Sequence, residues 1–553
     1  MRAYNSRAIL IPMTRTPSSE DLWSSWQRVV GLLLAGVLGI AILYSSVHFQ
    51  PIMAQGDHGR DLYAFQQASL GAVPYRDYWW VYGPLMPEYY GLFLKILGTQ
   101  IPSILLGKVL LTLLSGILIY LILSLWISPA VSLAGALWFW CYNPEFFFTY
   151  NHAGGITALL AILYAVFLYI KSGRIRFLYF ALGWVLILSL IKINIGLVAL
   201  GILVGGTYIT DKVIRFPLSK GKKIFYLLAL TIAPLFIAGV YAFLTRGLSI
   251  YEIRQCFPYL RTDHPYNVTI MQAWKIYAEA LVQNISYNWA SFALALLIVF
   301  STAQGLMLLL QKRIAEETRH QLWLAAGILI AFCFFNLHEF LASGVFYRTY
   351  WSKPFQIILI FLIIGVATQS LGKTTRILLC GVLFWISGSQ IVMQERAIRA
   401  GKTPQQYLSL ERSHVYLGNS PEWIETVSRT TDFLKKNLGK DETFFALPND
   451  PIYYYLAGKT SPTRQLIFFD HINIPPEQEE EIIAELENHS VNYIVLSSRI
   501  SSPEQGLGTF GVTYCPILAR YINDHFEIIA SLGDWTNTPL WAWNHGTKVL
   551  KRK

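Results

Sequence analysis

Long apolar runs separated by short, charged connectors fill the first four hundred positions, and the pattern changes near Ser420. Runs near residues 27–48, 101–127, 129–143, 154–170, 177–191, 195–210, 224–245, 288–311, 322–338, 354–371 and 375–393 approach or reach the roughly 18 to 20 apolar residues a helix needs to cross a bilayer. A backbone inside lipid must be helical to satisfy its own polar groups. The pattern therefore predicts a polytopic α-helical membrane protein with about eleven transmembrane helices. Beyond Ser420 the runs shorten. Thr443 to Leu447, Gln465 to Phe469, Val491 to Ser497 and Phe526 to Ser531 read as strands, Pro476 to Asn488 and Tyr514 to Asp524 as amphipathic helices. Alternation of this kind predicts a compact α/β module.

Composition agrees: the 553 residues are 54% hydrophobic and only 14% charged, outside the range of soluble globules. The net charge of +11 is unevenly placed. Residues 1–400 hold 30 Lys and Arg against 15 Asp and Glu, whereas residues 401–553 hold 14 against 18. The basic excess belongs to the membrane part, in the connectors Lys171 to Arg176, Asp211 to Lys223, Gln311 to Arg319 and Gly372 to Arg376. By the positive-inside rule these are cytoplasmic, as is the N-terminus. The loop from His48 to Gln100, the loop from Arg246 to Tyr287 and the C-terminal region then lie outside. No nucleic-acid motif accompanies the charge, so DNA and RNA are excluded as partners. The first apolar run is long for a signal peptide and reads as a retained helix. Cys256 and Cys515 fall outside the expected spans and could pair; no zinc-type cysteine spacing occurs.

The expected organisation is a cytoplasmic segment 1–26, a transmembrane domain 27–394 with a first external loop 49–100, a linker 395–419 and an extracytoplasmic α/β domain 420–553. No dinucleotide fingerprint, P-loop or solenoid repeat appears.

The first external loop carries Gly56-Asp57-His58-Gly59-Arg60-Asp61, then Gly71, then Pro74-Tyr75-Arg76-Asp77-Tyr78-Trp79-Trp80-Val81-Tyr82-Gly83-Pro84. This passage resembles the first external loop of the GT-C superfamily of membrane glycosyltransferases. The likeness is to its bacterial protein mannosyltransferase and aminoarabinose transferase-like branch, where an acidic residue precedes a Gly-x-x-Pro-Tyr-x-Asp-like element. The resemblance implies an inverting transfer from a polyprenyl-phosphate sugar to the hydroxyl of an extracytoplasmic lipid, glycan or protein acceptor. It implies no required cofactor and names Asp57 as general base. His58 stands where relatives often have Glu, so the second acidic or supporting role passes among His58, Asp61 and Asp77. Relatives place a Lys near Lys192 and a late basic residue near Arg348. Together with Arg76, these are the candidates for the donor phosphate.

The same residues have plainer readings. Asp57 suits a helix N-cap before Gly59 to Leu70. Arg76 can pair on the surface with Asp77, and Lys192 can snorkel from a short external turn. Asp57, His58 and Asp61 are also competent ligands for a divalent metal, the minor alternative to a metal-free site. Tyr75, Trp79, Trp80 and Tyr82 suit sugar or lipid contact, or anchoring at the bilayer interface. His338, with Glu339, Arg348 and Lys353, clusters before the span at Pro354, and His338 adds a further possible sugar or lipid contact. Asn143-Pro144-Glu145 and Tyr150-Asn151-His152 form another polar island. A transporter or lipid flippase is the alternative class. It predicts several ionisable residues near the midplane and two related halves.

Overall fold

The computed structural model describes residues 25–44, 49–142, 150–213, 220–257, 268–287, 295–304, 316–368, 371–504 and 506–553. Among them, seven helices are long and apolar enough to cross a membrane: Ser25–Leu43, Ile101–Ser124, Tyr150–Ser172, Ile193–Thr210, Tyr226–Leu244, Thr318–Ser343 and Thr374–Met393. Shorter apolar helices cover Pro129–Cys141, Arg176–Ile191, Ala295–Gln304 and Lys353–Thr368. Each expected run thus contains helix, although most of the 288–311 run lies outside the described residues. The last long helix continues to Gly401, past the expected boundary at 394.

Two expectations about helix ends are corrected. Tyr150-Asn151-His152 is not a loop island but the first turn of Tyr150–Ser172. The polar residues there are tolerated because they meet partners from other elements. Asn143-Pro144-Glu145 lies outside the described residues. The loop helix spans Asp57–Ser69 with Gly56 at its N-cap and no side-chain cap bond, so Asp57 is a first-turn residue rather than the cap.

A short antiparallel pair, β1 (Tyr407–Leu408) and β2 (Val415–Tyr416), leads into the tail, which forms a four-stranded sheet of β3 (Phe445–Leu447), β4 (Tyr493–Ser497), β5 (Phe526–Gly533) and β6 (Gly546–Arg552) in the order β3-β4-β6-β5. β3 and β4 run parallel, pairing Phe445 with Ile494. β6 is antiparallel to both neighbours. Helices Pro421–Asn437 and Pro516–His525 pack against the sheet, and Pro476–Asn488 packs against Pro516–His525. The helices expected at 476–488 and 514–524 are present, but Gln465 to Phe469 joins no ladder. Its Phe468 N–H donates instead to Pro448 O (2.9 Å), and the adjacent Arg464 carbonyl accepts from Trp79 N–H in the first loop (2.9 Å). β6 went unread because charged positions interrupt its apolar alternation.

One hydrophobic core runs through the helical part and the tail. The tail sits directly on the first loop. Asn419 Nδ2 donates to Met53 O (2.7 Å), Trp423 Nε1 donates to Gln55 Oε1 (3.1 Å), and Gln50 Nε2 donates to Leu417 O (3.1 Å). Gly59 is required by this docking, because a Cβ there would stand 2.4 Å from Ile452 N in the tail helix Ile452–Ala457. Cys256 and Cys515 are both free and buried, so no disulfide joins loop to tail.

Candidate active site

Gly83 brings the first loop onto the helical bundle: its N–H donates to Ile191 O (2.8 Å), and a Cβ would lie 2.0 Å from Leu190 O. This places Tyr82 beside the break between helices Arg176–Ile191 and Ile193–Val213, where Lys192 is extended (φ −156, ψ 107). The loop turn behind it holds Tyr75 at φ 70. That left-handed conformation is held by a fully buried ring whose hydroxyl donates to Tyr82 O.

Beside Tyr82 stands the carboxylate cluster. Arg60 donates to Asp57 Oδ1 (3.1 Å) from one terminal nitrogen and to Asp61 Oδ1 from Nε (3.1 Å) and the other terminal nitrogen (2.8 Å). Its guanidinium lies over the rings of Tyr82 (5.1 Å) and Trp80 (5.8 Å). Asn151 Nδ2 reaches Asp61 Oδ2 (3.3 Å). The other Asp57 oxygen accepts from the Trp541 indole N–H (2.8 Å), a group from the tail.

The two carboxylates are pushed in opposite directions. Burial raises Asp57, but Arg60, the Trp541 N–H, His58 and Arg499 outweigh it and hold the carboxyl below its usual range. Burial pushes Asp61 up to about 6 despite its bonds to Arg60. The Asp57 side chain is 50% accessible and that of Asp61 3%. Asp57 is thus densely surrounded and still reachable by a ligand.

A cationic cluster also borders Tyr82. Lys192 is buried and not snorkelling: its Nζ lies 2.6 Å from Glu339 Oε1, 5.5 Å from the Tyr82 ring centre and 5.2 Å from that of Trp351. Glu339 also accepts from Asn194 Nδ2 (2.8 Å) and Trp351 Nε1 (3.1 Å). Asn194 Nδ2 lies 2.9 Å from His338 Nε2. Arg348, on the short helix Phe346–Trp351, is close enough to act electrostatically on both Lys192 and His152. His152 stacks on Tyr350 (4.3 Å between ring centres), and neither of its ring nitrogens bonds to protein.

The structure separates the remaining sequence candidates. Arg76 and Asp77 pair with each other at the surface (2.8 Å), with 56% of the Arg76 side chain exposed, and Asp77 closes its turn by accepting from Val73 N–H (2.7 Å). Neither joins the cluster. Tyr75, Trp79 and Trp80 are core side chains, not interfacial anchors; only Trp80 touches the site, beneath Arg60. Asp57, His58 and Asp61 do not converge: His58 Nδ1 accepts from Ala54 N–H (2.9 Å), and both carboxylates turn to Arg60. Among the described residues no three His, Cys, Asp or Glu side chains are grouped to hold a metal ion.

Sequence reasoning missed Arg60, Lys108 and Trp541. Arg60 lies one helical turn after Asp57, which was a readable signal. Lys108, a lysine inside an apolar helix, was another; it is buried, with Nζ 5.2 Å from the Tyr150 ring centre. Trp541 had no signal, because it lies 484 positions from Asp57.

With this geometry in hand, the molecule can be set beside known ones. Scans against protein-family models and curated proteins give no match. Two solved structures of ArnT from Cupriavidus metallidurans are similar in fold. The first, bound to undecaprenyl phosphate, gives a TM-score of 0.52 at 10% identity, over 95% of this chain and 98% of that one. The second, in the apo state, gives 0.51 at 10% identity, over 94% and 98%. The chain has a GT-C-like fold.

Proposed function

We propose that the protein transfers a sugar from a polyprenyl-phosphate carrier to an acceptor hydroxyl on the side of the membrane bearing the tail domain. The observation that carries the reading is that an accessible carboxylate, Asp57, and a buried cationic cluster are gathered around a single ring, Tyr82, with Arg60, the partner of Asp57, 5.1 Å and Lys192 5.5 Å from its centre. A sugar phosphate ester requires both. Lys192, Arg348 and His152 would hold the phosphate oxygens, because charge-assisted bonds in a dry site are the strong ones. The acceptor oxygen attacks the anomeric carbon as its proton passes to Asp57. The bond from that carbon to the phosphate oxygen breaks, and the polyprenyl phosphate leaves with the electron pair, inverting the centre. A depressed carboxyl is a weak base but is ionised at neutral pH, so its contribution rests on position.

The ArnT structure bound to undecaprenyl phosphate supports a lipid-phosphate donor for this fold. Arg76, expected at the donor phosphate, has no part in this reading, and Arg60 supports the base by bonding both Asp57 and Asp61. The test is release of polyprenyl phosphate from a panel of radiolabelled lipid-linked sugars, by the protein in nanodiscs with mixed acceptors. Asp57→Asn is expected to cut turnover about 10²–10⁴-fold, the range for loss of a general base. Turnover of this variant within threefold of wild type would remove Asp57 from the mechanism. Movement of labelled lipid across the bilayer without release would place the protein among flippases.

A further inference from the structure

The connection between β5 and β6 carries Trp535, Leu540, Trp541, Ala542 and Trp543, and it is held rather than loose. Asp534 accepts from the N–H groups of Thr536 (2.9 Å) and Asn537 (3.1 Å) and from the Asn537 side chain (2.8 Å). Leu540 N–H donates to Trp543 O (3.2 Å), and Asn544 Nδ2 donates to Thr538 O (3.1 Å). Ala542 is fully buried, and its carbonyl accepts from Asn419 Nδ2 (3.3 Å), the side chain that also bonds Met53 in the first loop. One asparagine therefore ties this turn to the segment that leads into Asp57. Trp541 next to it sends its indole N–H to Asp57 Oδ2 (2.8 Å) and packs against His58 (5.3 Å between ring centres).

We propose that Trp541 is a positioning residue for the candidate base, so that the tail domain completes the active site instead of only covering it. This rests on the reading of Asp57 as base. A carboxylate has about four acceptor positions. Arg60 occupies one on Oδ1 and Trp541 one on Oδ2, which fixes the carboxylate plane and leaves the other lone pairs for an incoming hydroxyl. Among the described residues no other side chain bonds Oδ2, so without Trp541 the carboxylate can rotate about Arg60. Trp541 is partly exposed, so an acceptor that reaches Asp57 from the tail side passes this indole.

Removing the N–H also removes one of the influences that hold the Asp57 carboxyl low. The charged and titratable groups around it that remain are Arg60, His58 and Asp61 on the loop helix and Arg499 on the tail. Because ionised Asp57 is the active form, activity is present above its pKa and lost below it. Raising that pKa moves the acidic limb of the rate profile upward.

The experiment measures kcat and KM against pH for the full-length protein in nanodiscs, comparing wild type, Asp57→Asn, Trp541→Phe and Trp543→Phe. Trp541→Phe keeps an aromatic ring and deletes only the donor. Its kcat is expected to fall about tenfold, with donor KM within twofold and the acidic limb moved to higher pH. Trp543→Phe, on the same turn but without a bond to Asp57, is expected to match wild type, which separates positioning from loosening of the turn. A wild-type kcat and limb in Trp541→Phe, with Asp57→Asn inactive, would overturn the positioning role and leave the base intact. An equal loss in Trp543→Phe would assign the effect to the turn's structure and likewise overturn it. An active Asp57→Asn would overturn the base itself.

Discussion

Replacing Lys192 by methionine, alone and together with Glu339→Gln, separates binding from stability. The Lys192–Glu339 pair is short (2.6 Å) and both side chains are buried, at 6% and 8% accessible. Removing one member of a buried pair strands the other charge, which costs about 3–5 kcal/mol. Asn194 and Trp351 still donate to Glu339 in Lys192→Met, so the lower end of that range applies. Glu339→Gln leaves the lysine charged beside two aromatic rings and is expected to cost about as much. The double variant removes both charges and keeps the volume. Buried pairs replaced by neutral groups of similar size are often neutral or better in stability, so most of the loss should be recovered, a coupling of about 2–3 kcal/mol. Turnover should not recover, because a charged bond to a phosphate oxygen is worth about 1.5–3 kcal/mol, or roughly 10- to 150-fold in donor affinity. The assays are thermal unfolding in one defined detergent and equilibrium binding of polyprenyl phosphate, measured on all four proteins. A double variant that binds polyprenyl phosphate within threefold of wild type would show that Lys192 serves the fold and not the donor.

Arg76→Ala should leave turnover and lipid-phosphate binding within twofold of wild type, since Arg76 meets only Asp77 at the surface, whereas Arg348→Ala should weaken polyprenyl phosphate binding about tenfold or more. Equal effects in the same binding titration would contradict the placement of the two arginines. In the tail, burial pushes the Asp450 carboxyl up to about 7, against its ordinary value of 3.8. The folded protein then binds more protons than the unfolded chain between these values, so this group's contribution makes stability fall as pH rises from about 4 to about 7. Asp450→Asn should abolish that slope and stabilise the protein above pH 7 by roughly 2–4 kcal/mol. A melting temperature with the same pH slope in both proteins would refute it.

Much was legible without coordinates. Run length and hydropathy determine that a segment is helical in lipid, since no other local structure satisfies its backbone there. The apolar pattern accordingly located the helices, the change at Ser420 and two of the tail's helices. Lys192 was readable as an ionisable group between two apolar runs, whereas the Asp57 loop and Arg348 were singled out by the family resemblance. Partner choice was not legible. Arg76 is adjacent to Tyr75 in sequence, but the left-handed turn buries the Tyr75 ring and leaves Arg76 at the surface, away from the phosphate place expected for it, while the cation beside Asp57 is Arg60. Whether Lys192 snorkels or pairs depended on Glu339 arriving from a helix 147 positions later. Trp541 reached Asp57 only because Gly59 allows the tail to close against the loop helix. Periodicity and composition act along the chain and set the elements. The ion pairs and hydrogen bonds of the site join residues far apart in the chain, and only the tertiary packing decides which of them meet.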